Sequence, residues 1–147
     1  KTFRSTFGWW LEEGSGLVLR HRAEEVWLQP EAFMGLECAG FRRSGIRLAD
    51  VATRGLPYAA NFEWAVSFGH KLEEGVPGLA KLDVEAARAF CRGEHVVPEW
   101  GEAAAMAREG SQAVAKFQDF VLGLGRWEKQ RLRNDTPRHW RQENIVL

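Results

Sequence analysis

Apolar positions recur along this chain in short blocks that change period. Phe3, Phe7, Trp10 and Leu11 fall at i, i+4, i+7 and i+8, which predicts a helix ending before Gly14 and Gly16. Leu17 to His21 and Glu25 to Gln29 are short runs rich in branched and aromatic residues, separated by Arg22, Ala23 and Glu24, and they predict a β-hairpin stopped by Pro30. A helical turn around Glu31 to Met34 follows, then one or two strands over Gly40 to Asp50 bent at Gly45. Pro57 at a first-turn position, with Phe62, Ala65 and Val66 at helical spacing, predicts a helix from Pro57 to Phe68.

Glu73 to Gly78 reads as a loop punctuated by Gly75, Pro77 and Gly78. Asp83 suits the N-cap of a helix over Val84 to Arg92, with Glu85 in its first turn, Gly93 at its exit and Ala86, Ala87, Phe90 and Cys91 inward. Glu102 to Glu109 is alanine-rich and predicts a short helix between the breakers Pro98 and Gly101 and the next strands. Gln112 to Phe117 and Phe120 to Arg126 predict a second hairpin, Gln130 to Asn134 a final strand, and Thr136-Pro137 its end. Short strands alternate with short helices, and the hairpin links are too short for parallel crossovers. The order predicts an α+β fold with a small, mostly antiparallel, barrel-like sheet and short flanking helices.

At 147 residues, with 45% apolar, 12% aromatic and 27% charged side chains, the chain has the composition of one globular domain, not of a disordered segment. The longest uncharged apolar runs, such as Ala103 to Ala107 and Phe120 to Leu124, fall far short of the roughly 20 residues of a membrane-spanning helix, so no membrane partner is expected. The chain begins at Lys1 without the order of a secretory signal and reads as a cut-out or processed piece, which with only Cys38 and Cys91 present predicts reduced thiols and a cytoplasmic location.

Total charge is zero, yet its distribution is uneven. Residues 61–125 carry 6 basic and 10 acidic side chains, whereas residues 126–141 carry 6 basic and 2 acidic. Arg42, Arg43, Arg47 and Arg54 make a second positive stretch against Glu37 and Asp50. Within the C-terminal segment Arg126, Lys129, Arg131, Arg133, Arg138 and Arg141 interleave with Trp127 and Trp140, a pattern suited to phosphate contacts plus base stacking. Arg42, Arg43 and Arg47 would form a second edge of that surface. The competing reading is a solvated face whose tryptophans fold inward.

Other chemistry is sparse. His21, His70, His95 and His139 lie in no metal-ligand spacing and neither cysteine has a CxxC partner, so no metal site is expected. Glu94-His95 points to opposite faces if extended, and Cys91 sits on an apolar helical stripe, which makes an acid/base pair or a thiol nucleophile a weak alternative. Gly123-Leu124-Gly125 resembles a fragment of a phosphate loop but lacks the rest of the motif. Two glycines at alternate strand positions instead clear one face for a bend in the sheet or for the close approach of another backbone.

Several segments together resemble the C-terminal region of bacterial ribosomal RNA 5-methylcytosine methyltransferases of the RsmF/Sun type. Leu122-Gly123-Leu124-Gly125-Arg126, Leu132-Arg133-Asn134, and Pro137-Arg138 with Arg141 are similar to that family's closing elements, with arginine for lysine at Arg126 and Arg133. Leu82-Asp83, Ala89-Phe90-Cys91-Arg92-Gly93-Glu94 and Gly40 to Ile46 resemble upstream elements in the same order. The resemblance implies a PUA-like domain that binds RNA, ribosomal RNA in particular, and serves ribosome biogenesis as an accessory to methylation. It divides a single module into a lead-in helix, hairpin and strand over about 1–56 and a PUA-like part over about 57–141. It also implies that these residues are not themselves an enzyme, because Cys38 follows Glu37 and Cys91 follows Phe90, unlike the family's motif cysteines. S-adenosylmethionine is expected only in a separate catalytic domain, itself a candidate partner. The alternatives are a protein-interaction or intramolecular docking module without RNA affinity, and a small enzyme using Glu94 with His95 or Cys91.

Overall fold

The alternation over residues 17–30 folds as expected. Strands β1 (Leu17–Arg22) and β2 (Glu25–Pro30) pair antiparallel across a two-residue turn, with Ala23 at φ 52°. A computed structural model describes residues 2–36, 45–51, 58–99 and 101–141. Within them, helix α1 (Thr2–Phe7) precedes the hairpin, and a 3₁₀ turn (Glu31–Phe33) follows it. Strands β3 (Ile46–Val51) and β4 (Tyr58–Ala60) complete a four-stranded antiparallel sheet in the order β1-β2-β3-β4.

The second sheet has the order β5-β6-β7-β8, from Leu79–Lys81, Gln112–Phe117, Phe120–Glu128 and Arg131–Asn134. β6-β7 and β7-β8 are antiparallel hairpins. Lys129 and Gln130, at φ 49° and 64°, form the turn of the second hairpin, the double positive φ that matches the twist of paired strands. The mostly antiparallel α+β fold thus holds. Among the described residues eight strands lie in two open sheets, and the edge strands of neither sheet pair with each other.

Three departures from the sequence reading have physical causes. The helix expected from Pro57 divides into β4 and helix α2 (Phe62–Phe68), because Asn61 is the cap: its Oδ1 accepts the Glu63 N–H at 3.0 Å. Pro57 itself lies outside the described residues. Helix α1 ends at Phe7, since Gly8 turns the chain at φ 66°, and Trp10 then stands 55% exposed instead of extending an apolar stripe. One strand pair, β5 with β6, is parallel. The 30 residues between them hold α3 (Val84–Cys91) and α4 (Glu102–Met106), which supply the crossover that no short hairpin could. α3 begins where expected, with the Asp83 carboxylate accepting the Ala86 N–H at 2.8 Å, and Gly93 leaves it at φ 94°.

Two apolar cores sandwich the second sheet. On one face Val114 and Leu124 join Val26, Leu48, Ala49 and Ala60 of the first sheet around Trp64 of α2. Trp64 is fully buried, edge-on to Phe3 at 4.8 Å and beside Phe7 at 4.7 Å, so α1 closes this core. On the other face Ala113, Ala115, Trp127 and Leu132 pack with Ala87 and Phe90 of α3. The β7-β8 end of the sheet is held in that second core by Trp127 and Leu132, and Val96 bridges to Leu132.

Candidate functional site

Register decides which of the predicted side chains reach solvent. In the β7-β8 ladder Arg126 faces Arg133 and Glu128 faces Arg131, and directly opposed residues share a face. Arg126, Arg131 and Arg133 therefore form one basic face, with Glu128 among them. Trp127 and Leu132, the intervening pair, point to the α3 core, where Trp127 is 5% exposed and Leu132 fully buried. Trp127 is accordingly a core residue and not a stacking platform. The strict alternation of Arg126, Trp127 and Glu128 carried that information.

The basic face is partly compensated. Asp135 accepts from Arg126 Nε at 3.2 Å and from Arg133 Nε and Nη2 at 3.2 and 3.1 Å. Lys129, Arg131 and Arg138 are exposed and make no ion pair among the described residues. The Lys129 backbone N–H is held by the Glu109 carboxylate, which fixes the hairpin tip. Arg141 is partly buried: its Nε donates to the Thr136 carbonyl at 3.1 Å, and its side chain fills the space a Cβ at Gly93 would need. Trp140, in the 3₁₀ turn Arg138–Trp140, is 56% exposed with its ring 5.3 Å from that of Phe62.

The second arginine stretch contributes less than its composition suggests. Arg42 and Arg43 lie outside the described residues. Arg47 on β3 is bound by Glu25 at 2.9 Å and by Asp50, so one positive charge meets two negative ones. Its backbone N–H reaches Glu63, next to the Phe62 that supports Trp140, so the two segments meet at the start of α2. Their charges do not combine into one positive edge there.

A latch beneath the basic face went unread in the sequence. Asn134 Nδ2 donates to the Phe90 carbonyl at the end of α3, while its Oδ1 accepts the Thr136 N–H at 2.8 Å. The Asn134 N–H in turn donates to Nδ1 of His95 at 3.1 Å, which makes that ring nitrogen the acceptor. Leu132-Arg133-Asn134 thus supplies one core residue, one surface cation and one buried fastener.

Gly123 and Gly125 serve the same packing. A Cβ at Gly123 would sit 2.3 Å from Thr136 Oγ1, and one at Gly125 would sit 2.6 Å from Leu132 Cγ. The cleared face is filled by the chain's own backbone and side chains. Cys91 is half-buried and burial pushes its thiol above the usual range, against a smaller opposing effect of Arg92. Glu94 is paired with Arg92 at 2.7 Å. Among the described residues His95 is hydrogen-bonded through Nδ1 to Asn134 and makes no hydrogen bond or ion pair with Cys91 or Glu94.

Among the described residues, no helix is long and apolar enough to cross a membrane.

Residues 80–142 match the family described as "Methyltransferase RsmF PUA domain". The chain is similar to proteins named ribosomal RNA small subunit methyltransferase F. That of Aeromonas hydrophila is 32% identical over 127 residues, covering 86% of this chain and 24% of the relative. The Aeromonas salmonicida protein is 34% identical with the same coverage, and that of Cronobacter sakazakii 28% identical over 146 residues, covering 93% of this chain and 26% of the relative. The chain spans about a quarter of the length of the curated relatives it matches. The matched segment contains β6, β7, β8 and the latch at Asn134, so it is residues 80–142 of this chain that carry the likeness to the methyltransferase RsmF PUA domain family.

Proposed function

We propose that this chain is an RNA-binding accessory module of a ribosomal RNA cytosine-C5 methyltransferase, holding structured ribosomal RNA while catalysis occurs elsewhere in the parent protein. The observation that carries the reading is the β7-β8 ladder, which puts Arg126, Arg131 and Arg133 on one face of a rigid hairpin. Phosphate contacts from such cations fix register on the nucleic acid, and the exposed ring of Trp140 adds a stacking surface beside Arg138. Lys129 at the hairpin tip extends the surface and Arg141 anchors its base. S-adenosylmethionine binding and the motif cysteines belong, in this reading, to a separate catalytic domain, and the site of action is the cytoplasm. The chain works as a single module whose first sheet leads into the PUA part.

The test is titration of the chain with a fluorescein-labelled fragment of small-subunit ribosomal RNA at two salt concentrations. Counterion release makes phosphate-driven affinity fall steeply as salt rises. The variant Arg131→Ala/Arg133→Ala/Arg138→Ala is expected to lose most of that affinity and of its salt dependence. Salt-insensitive binding, or binding unchanged in the variant, refutes the reading.

A second reading has its own support. A groove of about 450 Å³ between the α1 segment and the first sheet is lined by Trp9, Trp10, Leu19, Tyr58 and others, with Trp10 and Leu19 exposed. An apolar groove of this kind suits docking of a protein surface, the parent's catalytic domain included, and would coexist with an RNA face at β7-β8.

A further inference from the structure

Resting on the RNA-binding reading, the geometry points to Arg126 and Arg133 as a single two-arginine site for one RNA phosphate, with Asp135 holding both guanidinium groups from the inner side. The two residues are direct partners across the β7-β8 ladder, a position in which like charges repel unless something offsets them. Asp135 does so with both oxygens: Oδ2 takes Arg126 and Oδ1 takes Arg133. Its side chain is 23% exposed against 38% and 42% for the arginines, so the carboxylate lies below and the guanidinium edges lie outside.

Donor arithmetic leaves the site unsaturated. Two guanidinium groups carry ten N–H donors. Three are spent on Asp135, and among the described residues the other seven have no acceptor. The net charge of the cluster is +1, which one phosphodiester neutralises, and planar forks match its two free oxygens bidentately. Arg47 provides the contrast within the same chain, since two carboxylates, Glu25 and Asp50, bind that one guanidinium. Position adds to the case. Arg126 is also the ladder partner of Gln112, whose side chain joins the two sheets, so the site stands beside that junction.

The experiment uses the full chain and the labelled ribosomal RNA fragment, with affinity measured across a salt series for wild type, Arg126→Ala, Arg133→Ala and the double variant. If both arginines hold one phosphate, each single variant weakens binding about tenfold and the double variant little more than either. The slope of log affinity against log salt then shrinks by about 0.7–0.9 in the double variant, one phosphate's share. Arg126→Lys keeps the charge and its partner Asp135 but lacks the fork, and it is expected to recover little affinity. Additive losses with a slope change of about twice that size mean two separate phosphates and overturn the site. So does an unchanged slope, or full recovery in Arg126→Lys. A wild-type chain whose binding ignores salt overturns the RNA-binding reading itself, whereas salt-dependent wild-type binding with unaltered variants overturns this site alone.

Discussion

Gln112 bonds both backbone groups of Ala60, 52 residues away: its Oε1 accepts the Ala60 N–H at 2.7 Å and its Nε2 donates to the Ala60 carbonyl at 3.0 Å. A side-chain amide here takes the place of a neighbouring strand. Ala60 ends β4 at the edge of the first sheet, Gln112 begins β6 in the second, and both are buried. Without that amide, two backbone groups would be shut from water unpaired, which is the expensive way to lose a hydrogen bond. The bond ties together two sheets that share an apolar core, although among the described residues no strand passes from one ladder to the other.

Gln112→Ala is therefore expected to destabilise the chain by about 2–3 kcal/mol, lowering the melting temperature by roughly 5–10 °C. Gln112→Glu should be at least as damaging, because a carboxylate cannot donate to the Ala60 carbonyl. Thermal melting followed by circular dichroism tests both; a change under about 1 °C would show that the sheets hold together without this bridge.

A second expectation concerns the glycine at the bulged register of β7. Gly123→Ala places a Cβ against Thr136 Oγ1 and close to the Phe90 and Phe62 rings, and overpacking of this kind costs about 1–3 kcal/mol. Thr136→Val is the control. Thr136 Oγ1 is buried without a partner among the described residues, so replacing the hydroxyl by a methyl is expected to leave stability unchanged or higher. Urea denaturation of both variants separates the effects, and marked loss of stability in Thr136→Val would mean the hydroxyl has a partner after all.

Asn134 admits a sharper test of the latch. Asn134→Asp keeps the acceptor for the Thr136 N–H but removes the donor to the Phe90 carbonyl, setting an anion against the negative end of α3. A loss of about 2 kcal/mol is expected, larger than for a surface substitution. Equal stability of Asn134→Asp and wild type in denaturant titration would contradict the assigned amide orientation.

How far the sequence carried depended on how local the cause was. The hairpins, the Asp83 cap and the Gly93 exit rest on neighbouring residues, and each is legible in a window of a few positions. β5 was not, because Leu79–Lys81 is three residues long and is a strand only by pairing with Val114 to Lys116. Nor was β4, since Pro57 and the apolar spacing after it favour a helix while pairing with β3 makes Tyr58–Ala60 extended. The basic segment was legible in composition and misread in orientation: Trp127 counts among its aromatics yet points inward by strand period. Asp135 stood in plain view two residues beyond Arg133, but its role requires knowing that Arg126 lies opposite.

Cys91 offers a pH-dependent prediction. Burial raises its thiol above the usual range, so the thiolate should appear only at more alkaline pH than for a free cysteine. In a Cys38→Ser background, the rate of alkylation by iodoacetamide is expected to reach half its maximum above about pH 8.5, the value for an exposed thiol. The linked effect on stability has a definite sign: the folded state holds the proton longer, so the contribution is complete below the ordinary thiol value and is lost as pH rises through the folded one. A half-point below that of free cysteine would instead mark an activated nucleophile and revive a catalytic role.

The two tryptophans of the basic segment should separate cleanly under substitution. Trp127→Ala empties a core position beside Phe90 and Leu132 and is expected to cost about 3–5 kcal/mol of stability, enough to unfold much of the chain. Trp140→Ala removes an exposed ring that rests on Phe62, so melting should shift little. If Trp140 stacks on a base, the variant loses about 1–3 kcal/mol of affinity for the ribosomal RNA fragment, while Trp140→Phe retains part of it because stacking needs a π-face and not an indole N–H. Its salt slope should equal that of wild type, since no phosphate contact is lost. A Trp140→Ala variant that binds as tightly as wild type would leave the arginines of β7 and β8 to hold the RNA without a stacked base.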